Sequence, residues 1–253
     1  MQLDVLIKCT YLLIFVFFVL DGDAGYVGGY QPYVGSTFNY AMFYVLQRVF
    51  AQKVTMTQIP AVLAWVQSSG ANLYLMGNFI DNHDQPRFLS FTSDKTLLYN
   101  GLMYITFASG IPFYYYGTEQ GFNGGNDPAN REDLWRSGYN TATTEYQYIK
   151  SLLKIRKTVG VSNLNTQLSI QEHLLTTDSV YVFSRMAKKV IVFTTNQGSG
   201  SSWKGCLDAN VVPTGKYVNL QDGTDSVSVS FQSDFKFCTS LVNGMPKVYF
   251  FSD

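Results

Sequence analysis

One apolar segment of the sequence is followed directly by four polar residues. Their side chains are two carboxylates, an amide and an imidazole. The apolar segment ends at Ile80, and Asp81, Asn82, His83 and Asp84 come next. Polar groups are costly to bury unpaired, and this density of donors and acceptors suits a ligand with many hydroxyl groups, such as a sugar. The same residues could instead form a polar turn that caps a strand. The pattern by itself leaves both interpretations open.

A second polar loop follows another apolar segment, residues 111–116. It is rich in glycine and contains the string Gly-Gly-Asn-Asp-Pro-Ala-Asn-Arg at residues 124–131. Parallel barrels place their active sites in the loops that follow their strands, so this loop is also a candidate. Two charged residues nearby have structural interpretations. We expect Arg87 to organise its loop and Glu119 to be a buried, paired carboxylate at a strand end.

Apolar strands and amphipathic helices alternate along the part of the sequence that contains these loops. Helical spacing of apolar residues predicts helices over residues 42–50, after a cap at Thr57, from a cap at Ser93 to about Phe107, and from Thr144 to Gly160. Largely apolar segments at 73–80 and 111–116 predict buried strands. The order of strand, loop and helix is typical of a parallel sheet or barrel. Only about four such units fit, whereas a closed barrel needs eight.

After Gly160 the pattern changes to short segments rich in β-branched and aromatic residues. Several alternate with a period of two, and turn sequences such as Asp222-Gly223 separate them. These features predict an antiparallel, all-β domain over residues 161–253. Its expected strands lie at residues 180–185, 190–195, 216–220, 226–231 and 247–251.

The composition is that of a folded protein with no excess of either charge. Hydrophobic residues make up 46% of the 253 positions and charged residues 14%, which argues against disorder. The formal net charge is zero, so we expect neither nucleic acid nor an anionic membrane as a partner. Cys206 and Cys238 could form a disulfide in a secreted protein or remain two buried thiols. Neither has a close Cys or His companion, which argues against zinc.

Residues 1–18 allow two interpretations. Lys8 precedes an apolar run over residues 11–20, which has the length of a signal-peptide core and is too short to span a bilayer by itself. A buried parallel strand has the same appearance. We therefore expect no membrane span, and the choice between a leader and a strand stays open.

Several segments, in order along the chain, resemble the carboxyl-terminal part of fungal-type α-amylases of glycoside hydrolase family thirteen. Residues 77–88 are similar to the signature that follows strand seven of the family's barrel, and residues 110–131 are similar to its strand-eight region. Residues 19–31 and 38–40 resemble the stretch after strand five and the short sixth strand. The resemblance runs from about Val19 to about Gly160. It is weaker, at the level of architecture, for the terminal β domain.

The resemblance implies an α/β fold, with a partial (β/α)8 TIM barrel of about strands five to eight over residues 19–160, followed by the small antiparallel all-β domain. It also implies a retaining glycosidase that cleaves α-1,4-glucosidic bonds within starch or glycogen. Asp84 falls on the family's transition-state stabiliser. Other positions match its sugar-binding residues, which here are His83, Asp127, Arg131 and Asp21.

The sequence departs from the family's pattern at the two residues that carry out the covalent step of the reaction. The acid/base Glu of the family falls on Phe18, and the nucleophile's strand would lie before residue 1. We therefore expect a fragment that is inactive alone, with a non-catalytic glucan-binding relative as the alternative. The resemblance implies calcium as a cofactor, but with ligands that are not in this chain, so we expect no metal site here. It further implies a secreted monomer whose partner is starch or a maltooligosaccharide.

Overall fold

Two regions of different architecture make up the described part of the chain. The computed structural model describes residues 24–160, which surround a short parallel sheet, and residues 170–252, which form antiparallel sheets. Residues 1–18, where a leader or a strand was expected, and Asp21 lie outside the described residues. None of the helices within 24–160 and 170–252 has the length and apolar character needed to cross a membrane.

The first region contains six α-helices and three short strands. The helices are α1 (Ala24–Val34), α2 (Tyr40–Leu46), α3 (Gln58–Ser68), α4 (Phe88–Phe91), α5 (Lys95–Phe107) and α6 (Thr144–Val159). The strands are β1 (Thr37–Phe38), β2 (Met76–Asn78) and β3 (Ile111–Pro112). A wider helical turn, Gln47–Ala51, continues α2, and 3-10 turns lie at Leu73–Leu75, Thr118–Gln120 and Leu134–Ser137.

Buried amide side chains join the three parallel strands, which lie in the order β1-β2-β3. The Asn39 side chain donates from Nδ2 to Oδ1 of Asn78 (3.0 Å), and Asn78 Nδ2 donates to the carbonyl oxygen of Ser109 (2.7 Å). Both amides are buried, so each needs these partners. Side chains thus supplement the few backbone hydrogen bonds that strands of two or three residues can make.

The predicted strands at 73–80 and 111–116 are much shorter than expected. Residues Leu73–Leu75 form a 3-10 turn, because the Asn72 side chain accepts a hydrogen bond from the backbone N–H of Tyr74 (3.0 Å). The strand β2 therefore begins only at Met76, and β3 ends at Pro112. An apolar run does not distinguish a strand from a buried helical turn, which explains the first error, whereas residues 113–115 continue from β3 without regular secondary structure.

The predicted helices are all present, with two corrections at their caps. Helix α5 is capped by Asp94, whose carboxylate accepts from the backbone N–H of Thr96 (3.0 Å), and not by Ser93. Thr57 precedes α3 as predicted, but its side chain caps nothing and instead shares a hydrogen bond with the Thr55 hydroxyl (3.1 Å). Helix α6 ends before Gly160, whose φ of 89° stops the helix as expected.

The second region contains the five predicted strands and three that were not predicted. A six-stranded antiparallel sheet has the order β4-β5-β6-β11-β8-β9, and β7 pairs with β10 in a second sheet. The strands are β4 (Glu172–Thr176), β5 (Val180–Arg185), β6 (Val190–Thr195), β7 (Ser202–Leu207), β8 (Gly215–Asn219), β9 (Ser226–Val229), β10 (Phe237–Val242) and β11 (Lys247–Ser252).

A disulfide links the two strands of the smaller sheet. Cys206 lies directly opposite Cys238 in the antiparallel pairing of β7 and β10, and their Cα atoms are 4.0 Å apart. Of the two alternatives that the sequence left open, the structure has the disulfide.

The two regions share one hydrophobic core around α5. Tyr181 and Phe183 of β5 face the Tyr104 ring of α5, with centroid distances of 6.2 and 5.6 Å. The alternate residues Val180 and Val182 point to the other face and pack in the cluster that holds β7 and β10. Because both faces of β5 are covered, its first four residues are apolar without interruption.

A buried amide, Asn100, is expected to control the stability of this junction. Its Nδ2 donates to the carbonyl oxygens of Thr96 (2.7 Å) and Gly244 (2.8 Å), and its Oδ1 accepts from the backbone N–H of Thr195 (2.7 Å). Asn100→Ala would leave two buried backbone groups unpaired, so we expect a loss of about 2–4 kcal/mol in the free energy of unfolding, measured with urea.

The matched control is Asn123→Ala, which truncates an exposed amide. It should change the free energy of unfolding by less than about 0.5 kcal/mol. Equal effects of the two substitutions would contradict the role given to Asn100.

Candidate active site

The carboxyl ends of the three parallel strands open into a cavity of about 330 Å³. Its polar wall comes from Asp81, Asn82 and His83, which follow β2, and its remaining lining is aromatic. Parallel strands end at one edge of their sheet, so residues far apart in sequence meet there. The cavity is lined by Phe38, Tyr40, Phe79, Asp81, Asn82, His83, Phe113, Tyr114 and Tyr115.

The aromatic residues of the cavity support one another. The Phe79 ring stacks on Phe43 with centroids 4.9 Å apart, and it meets Tyr40 edge-on at 5.0 Å. Phe38 lies edge-on to both Phe79 (5.3 Å) and Phe113 (5.0 Å). Such packing holds the rings in place, so the cavity presents a preformed apolar surface.

Asp81, the first carboxylate after β2, has a structural role. It is buried, and its two oxygens accept hydrogen bonds from the backbone N–H of Phe88 (2.5 Å) and the hydroxyl of Thr118 (2.8 Å). Burial raises the pKa of Asp81, although both hydrogen bonds and the charge of Arg87 act in the opposite direction. Asp81 thus ties the β2 loop to the loop after β3.

Asn82 shapes the turn that carries the next two residues. Its Oδ1 accepts from the backbone N–H groups of Asp84 (3.0 Å) and Gln85 (2.8 Å), and its Nδ2 donates to the Tyr40 hydroxyl (2.9 Å). Burial, and then the negative charge of Asp84, raise the pKa of Tyr40 to about 12. Tyr40 therefore keeps its proton at neutral pH and remains a hydrogen-bond donor beside Asp84.

Three of the five predicted site residues contact the guanidinium group of a fourth, Arg131. Its Nε lies 2.9 Å from Asp127 Oδ1 and donates to the carbonyl oxygen of His83 (3.0 Å), and its Nη2 lies 3.7 Å from Asp84 Oδ1. The His83 ring is also close to Asp84, with 3.3 Å between Nε2 and Oδ1. The fifth residue, Asp21, lies outside the described residues.

The charged groups of this cluster remain open to solvent. The exposed side-chain fractions are 46% for Arg131, 51% for Asp127 and 32% for Asp84. Each carboxylate has acceptor capacity beyond its contact with Arg131, and the guanidinium has several N–H donors. The cluster can therefore hydrogen-bond a polyhydroxylated ligand whose apolar faces lie against the aromatic wall.

An ion pair between a fully buried arginine and a partly exposed glutamate holds the loop that carries Asp127 and Arg131. The Nε of Arg87, which has no exposed surface, lies 2.5 Å from Glu132 Oε2, and the other oxygen of Glu132 accepts from the Gly124 N–H (2.7 Å). The Arg87 guanidinium also lies over the Tyr115 ring, 4.5 Å from its centroid. The prediction that Arg87 serves loop structure is confirmed.

Glu132 and Tyr40 were given no role from the sequence, and Asn82 was named only as a member of its polar motif. Glu132 directly follows the predicted Arg131, and Asn82 lies inside the predicted motif. Their positions next to predicted site residues could therefore have pointed to both. Tyr40 lies in the segment 38–40 that resembles the sixth strand, but the sequence does not show that its hydroxyl reaches Asn82 from the start of α2. Glu119 needs a correction, since it is half-buried and accepts from the Gly117 N–H (2.8 Å), with no cationic partner among the described residues.

The described carboxylates do not fit a calcium ion. Within residues 24–160 and 170–252, no three His, Cys, Asp or Glu side chains are grouped closely enough to hold a metal. Asp84 and Asp127 are paired with Arg131, whose charge opposes a cation there. No chemical step at this site is therefore assigned to a metal.

Comparison with known proteins gives one consistent family. Residues 31–154 match the family described as "Alpha amylase, catalytic domain". The chain is 36% identical over 238 residues to Alpha-amylase 1 of Schwanniomyces occidentalis and 32% identical over 235 residues to Alpha-amylase of Saccharomycopsis fibuligera. Each alignment covers 91% of this chain but 45% and 46% of the relative, so the chain spans a little under half their length.

A solved structure gives the same result for the fold. The α-amylase from Malbranchea cinnamomea superposes with a TM-score of 0.83 at 28% sequence identity, over 92% of this chain and 49% of that protein. The architecture of the described residues is thus that of the corresponding portion of an α-amylase, including the antiparallel sheets.

Removal of the charge on Glu132 is expected to destabilise the site loop. Glu132→Gln removes the carboxylate that pairs directly with the buried Arg87 guanidinium, and loss of one partner costs about 3 kcal/mol in typical buried pairs. We expect a loss of this size in the free energy of unfolding, and faster proteolysis within residues 120–131.

Glu172→Gln is the control, because Glu172 pairs with Lys188 at 3.7 Å on the surface. Exposed ion pairs contribute less than about 1 kcal/mol to the free energy of unfolding. If both variants lost the same stability, Glu132 would not be the anchor of the loop.

Proposed function

The chain belongs to the α-amylase family, and from this premise we propose that its site binds α-1,4-linked glucan as part of an endo-acting hydrolase of starch and glycogen. The observation that carries the proposal is the convergence of Asp84, Asp127 and His83 on Arg131, at the edge of an aromatic cavity. A site that binds sugar rings needs both the polar cluster and the aromatic wall, since the faces of the rings are apolar and their rims carry hydroxyl groups.

Asp84 is proposed as the transition-state stabiliser of a retaining mechanism. Glycosidic cleavage builds positive charge on the sugar ring, and a fixed carboxylate beside the ring lowers the energy of that state. The turn made by Asn82 supports this role, because it orients Asp84 before any ligand arrives. His83 would contact the same ring from the adjacent position.

Asp127 and Arg131 would bind a glucose unit further along the cleft, on the non-reducing side. Their contact of 2.9 Å places an acceptor and a donor side by side, which matches neighbouring hydroxyl groups on one sugar. Asp21, outside the described residues, is proposed to contact the sugar on the leaving-group side.

We propose that β1, β2 and β3 correspond to strands six, seven and eight of a (β/α)8 barrel, within a barrel portion over residues 19–160. The parallel order of the three strands and the family match over residues 31–154 support this correspondence. The all-β domain would then cover residues 161–253.

We further propose that this chain by itself binds glucan without hydrolysing it. A retaining mechanism needs two carboxyl groups about 5 Å apart, one as nucleophile and one as acid/base. Asp81 is unsuited to either role because both of its oxygens are engaged in the fold. Phe18, outside the described residues, falls where the family resemblance would have the acid/base Glu.

Secretion as a monomer is proposed for the chain. The Cys206–Cys238 disulfide supports an oxidising compartment, since such bonds form and persist mainly outside the cytosol. Size-exclusion chromatography with light scattering would test the monomeric state.

Glucan binding is testable at Arg131. We expect Arg131→Met to weaken the binding of maltotriose and maltoheptaose by about 10- to 100-fold in calorimetry, because a charged hydrogen-bond donor to the ligand is lost. Lys150→Met is the control, as Lys150 is exposed on α6 and should leave both affinities unchanged. Equal affinities of the wild type and Arg131→Met would contradict the proposed site.

The absence of turnover is tested with the same purified chain. We expect no release of reducing ends from soluble starch above the level of a heat-denatured sample, even though maltoheptaose binds. Hydrolysis that disappears in Asp84→Asn would refute this proposal, because it would show that the chain contains a complete set of catalytic groups.

A further inference from the structure

The Cys206–Cys238 disulfide lies on the solvent side of the smaller sheet. Both cysteines are exposed, whereas their strand neighbours Leu207 and Phe237 are buried. Cysteine is among the residue types that proteins bury most often, so an exposed pair is unusual. A reagent in solution can therefore approach this disulfide while the protein stays folded.

Two lysines flank the disulfide. Lys204 lies two residues before Cys206 on β7, and the alternation of a strand places both side chains on the exposed face. Lys204 pairs with Ser240, which lies two residues beyond Cys238, so this lysine is also the diagonal neighbour of Cys238 across the sheet. Lys236, two residues before Cys238, is exposed as well.

Positive charge beside the disulfide favours its reaction with a thiolate. Thiol–disulfide exchange begins when a thiolate attacks one sulfur of the bond, and the other sulfur leaves as a thiolate. An ammonium group attracts the incoming anion and stabilises the departing one. The acidic residues nearest to the cysteines along the chain, Asp208 and Asp234, lie outside the two strands, whereas Lys204 lies within β7.

The inner face of the smaller sheet is held by contacts other than the disulfide. The Phe237 ring stacks on Phe193 with centroids 5.7 Å apart, and it meets Tyr249 edge-on at 5.1 Å. The hydroxyl groups of Thr239 and Tyr249 share a hydrogen bond (2.7 Å), and Leu241 is buried in the same core. None of these contacts involves a sulfur atom, so we expect the pairing of β7 and β10 to survive reduction.

We propose that the Cys206–Cys238 disulfide is a site of thiol–disulfide exchange with anionic low-molecular-weight thiols, which open it while the protein remains folded. A thiolate forms a new S–S bond to one cysteine, and the old bond breaks with its electron pair on the other cysteine, which takes a proton from water. A second thiolate then attacks the sulfur of the first thiol and releases the remaining cysteine. The two thiols supply two electrons and end as their own disulfide. The inference is independent of glucan binding, because no residue of that site takes part.

The test uses the full chain with Cys9→Ser, which removes the third cysteine of the sequence. The folded protein is incubated with reduced glutathione without denaturant, quenched with N-ethylmaleimide and analysed by intact mass spectrometry. We expect a species with one glutathione and one maleimide, and then a species with two maleimides, while the near-UV circular dichroism stays that of a folded protein.

Two charge substitutions test the role of the surface around the disulfide. Lys204→Gln should slow the reaction with glutathione by about 2- to 4-fold, because one positive charge near the sulfur atoms is lost. Asp208→Asn should accelerate it by a similar factor. Added salt should reduce both differences, since it screens exposed charges.

Lys150→Gln is the matched control, because it makes the same change in net charge as Lys204→Gln but lies exposed on α6. It should leave the rate unchanged. A folded protein that does not react, while a sample unfolded in urea does, would overturn the exchange site. Equal rates in Lys204→Gln and Lys150→Gln would overturn the preference for anionic thiols. Loss of the near-UV signal in step with the reaction would also contradict the proposal, by showing that the disulfide opens only on unfolding.

Discussion

The buried contact between Arg87 and Glu132 is the interaction on which the two site loops depend. Arg87 follows the polar motif after β2, and Glu132 follows the glycine-rich string after β3, so their ion pair ties one loop to the other. A guanidinium without exposed surface cannot remain unpaired, and its position over the Tyr115 ring adds an apolar constraint. With this ion pair in place, Arg131 can contact both Asp127 and Asp84.

The antiparallel region supports the site indirectly, through α5. This helix leads into β3, and its inner face packs on Tyr181 and Phe183 while Asn100 bonds to Thr195 and Gly244. Strands of two or three residues have little stability of their own. The short parallel sheet is therefore stabilised by side-chain amides and by a core that it shares with the second region.

The parts of the fold that were predicted correctly are those with a long, repeated signal. Helix α6 and the strands β5 and β6 extend over many residues and bury a continuous face, so their patterns are unambiguous. The parallel strands were overestimated, and β4, β7 and β10 were missed. In β7 exposed and partly buried residues alternate, and its pairing with β10 depends on a partner about thirty residues away, which a local pattern does not contain.

The order of the motifs in the sequence was sufficient to indicate the family, because strings such as Asn-Asp-Pro-Ala-Asn-Arg can be recognised without the fold. The same motifs contain the four residues that the structure brings together, Asp84, His83, Asp127 and Arg131. The surroundings of each carboxylate could be learned only from the folded chain. Asp81 and Asp84 look equivalent in the motif, yet Asp81 is buried between Phe88 and Thr118, and Asp84 faces Arg131. The role of a carboxylate depends on its hydrogen-bond partners and its burial, and both come from segments that are distant in the chain.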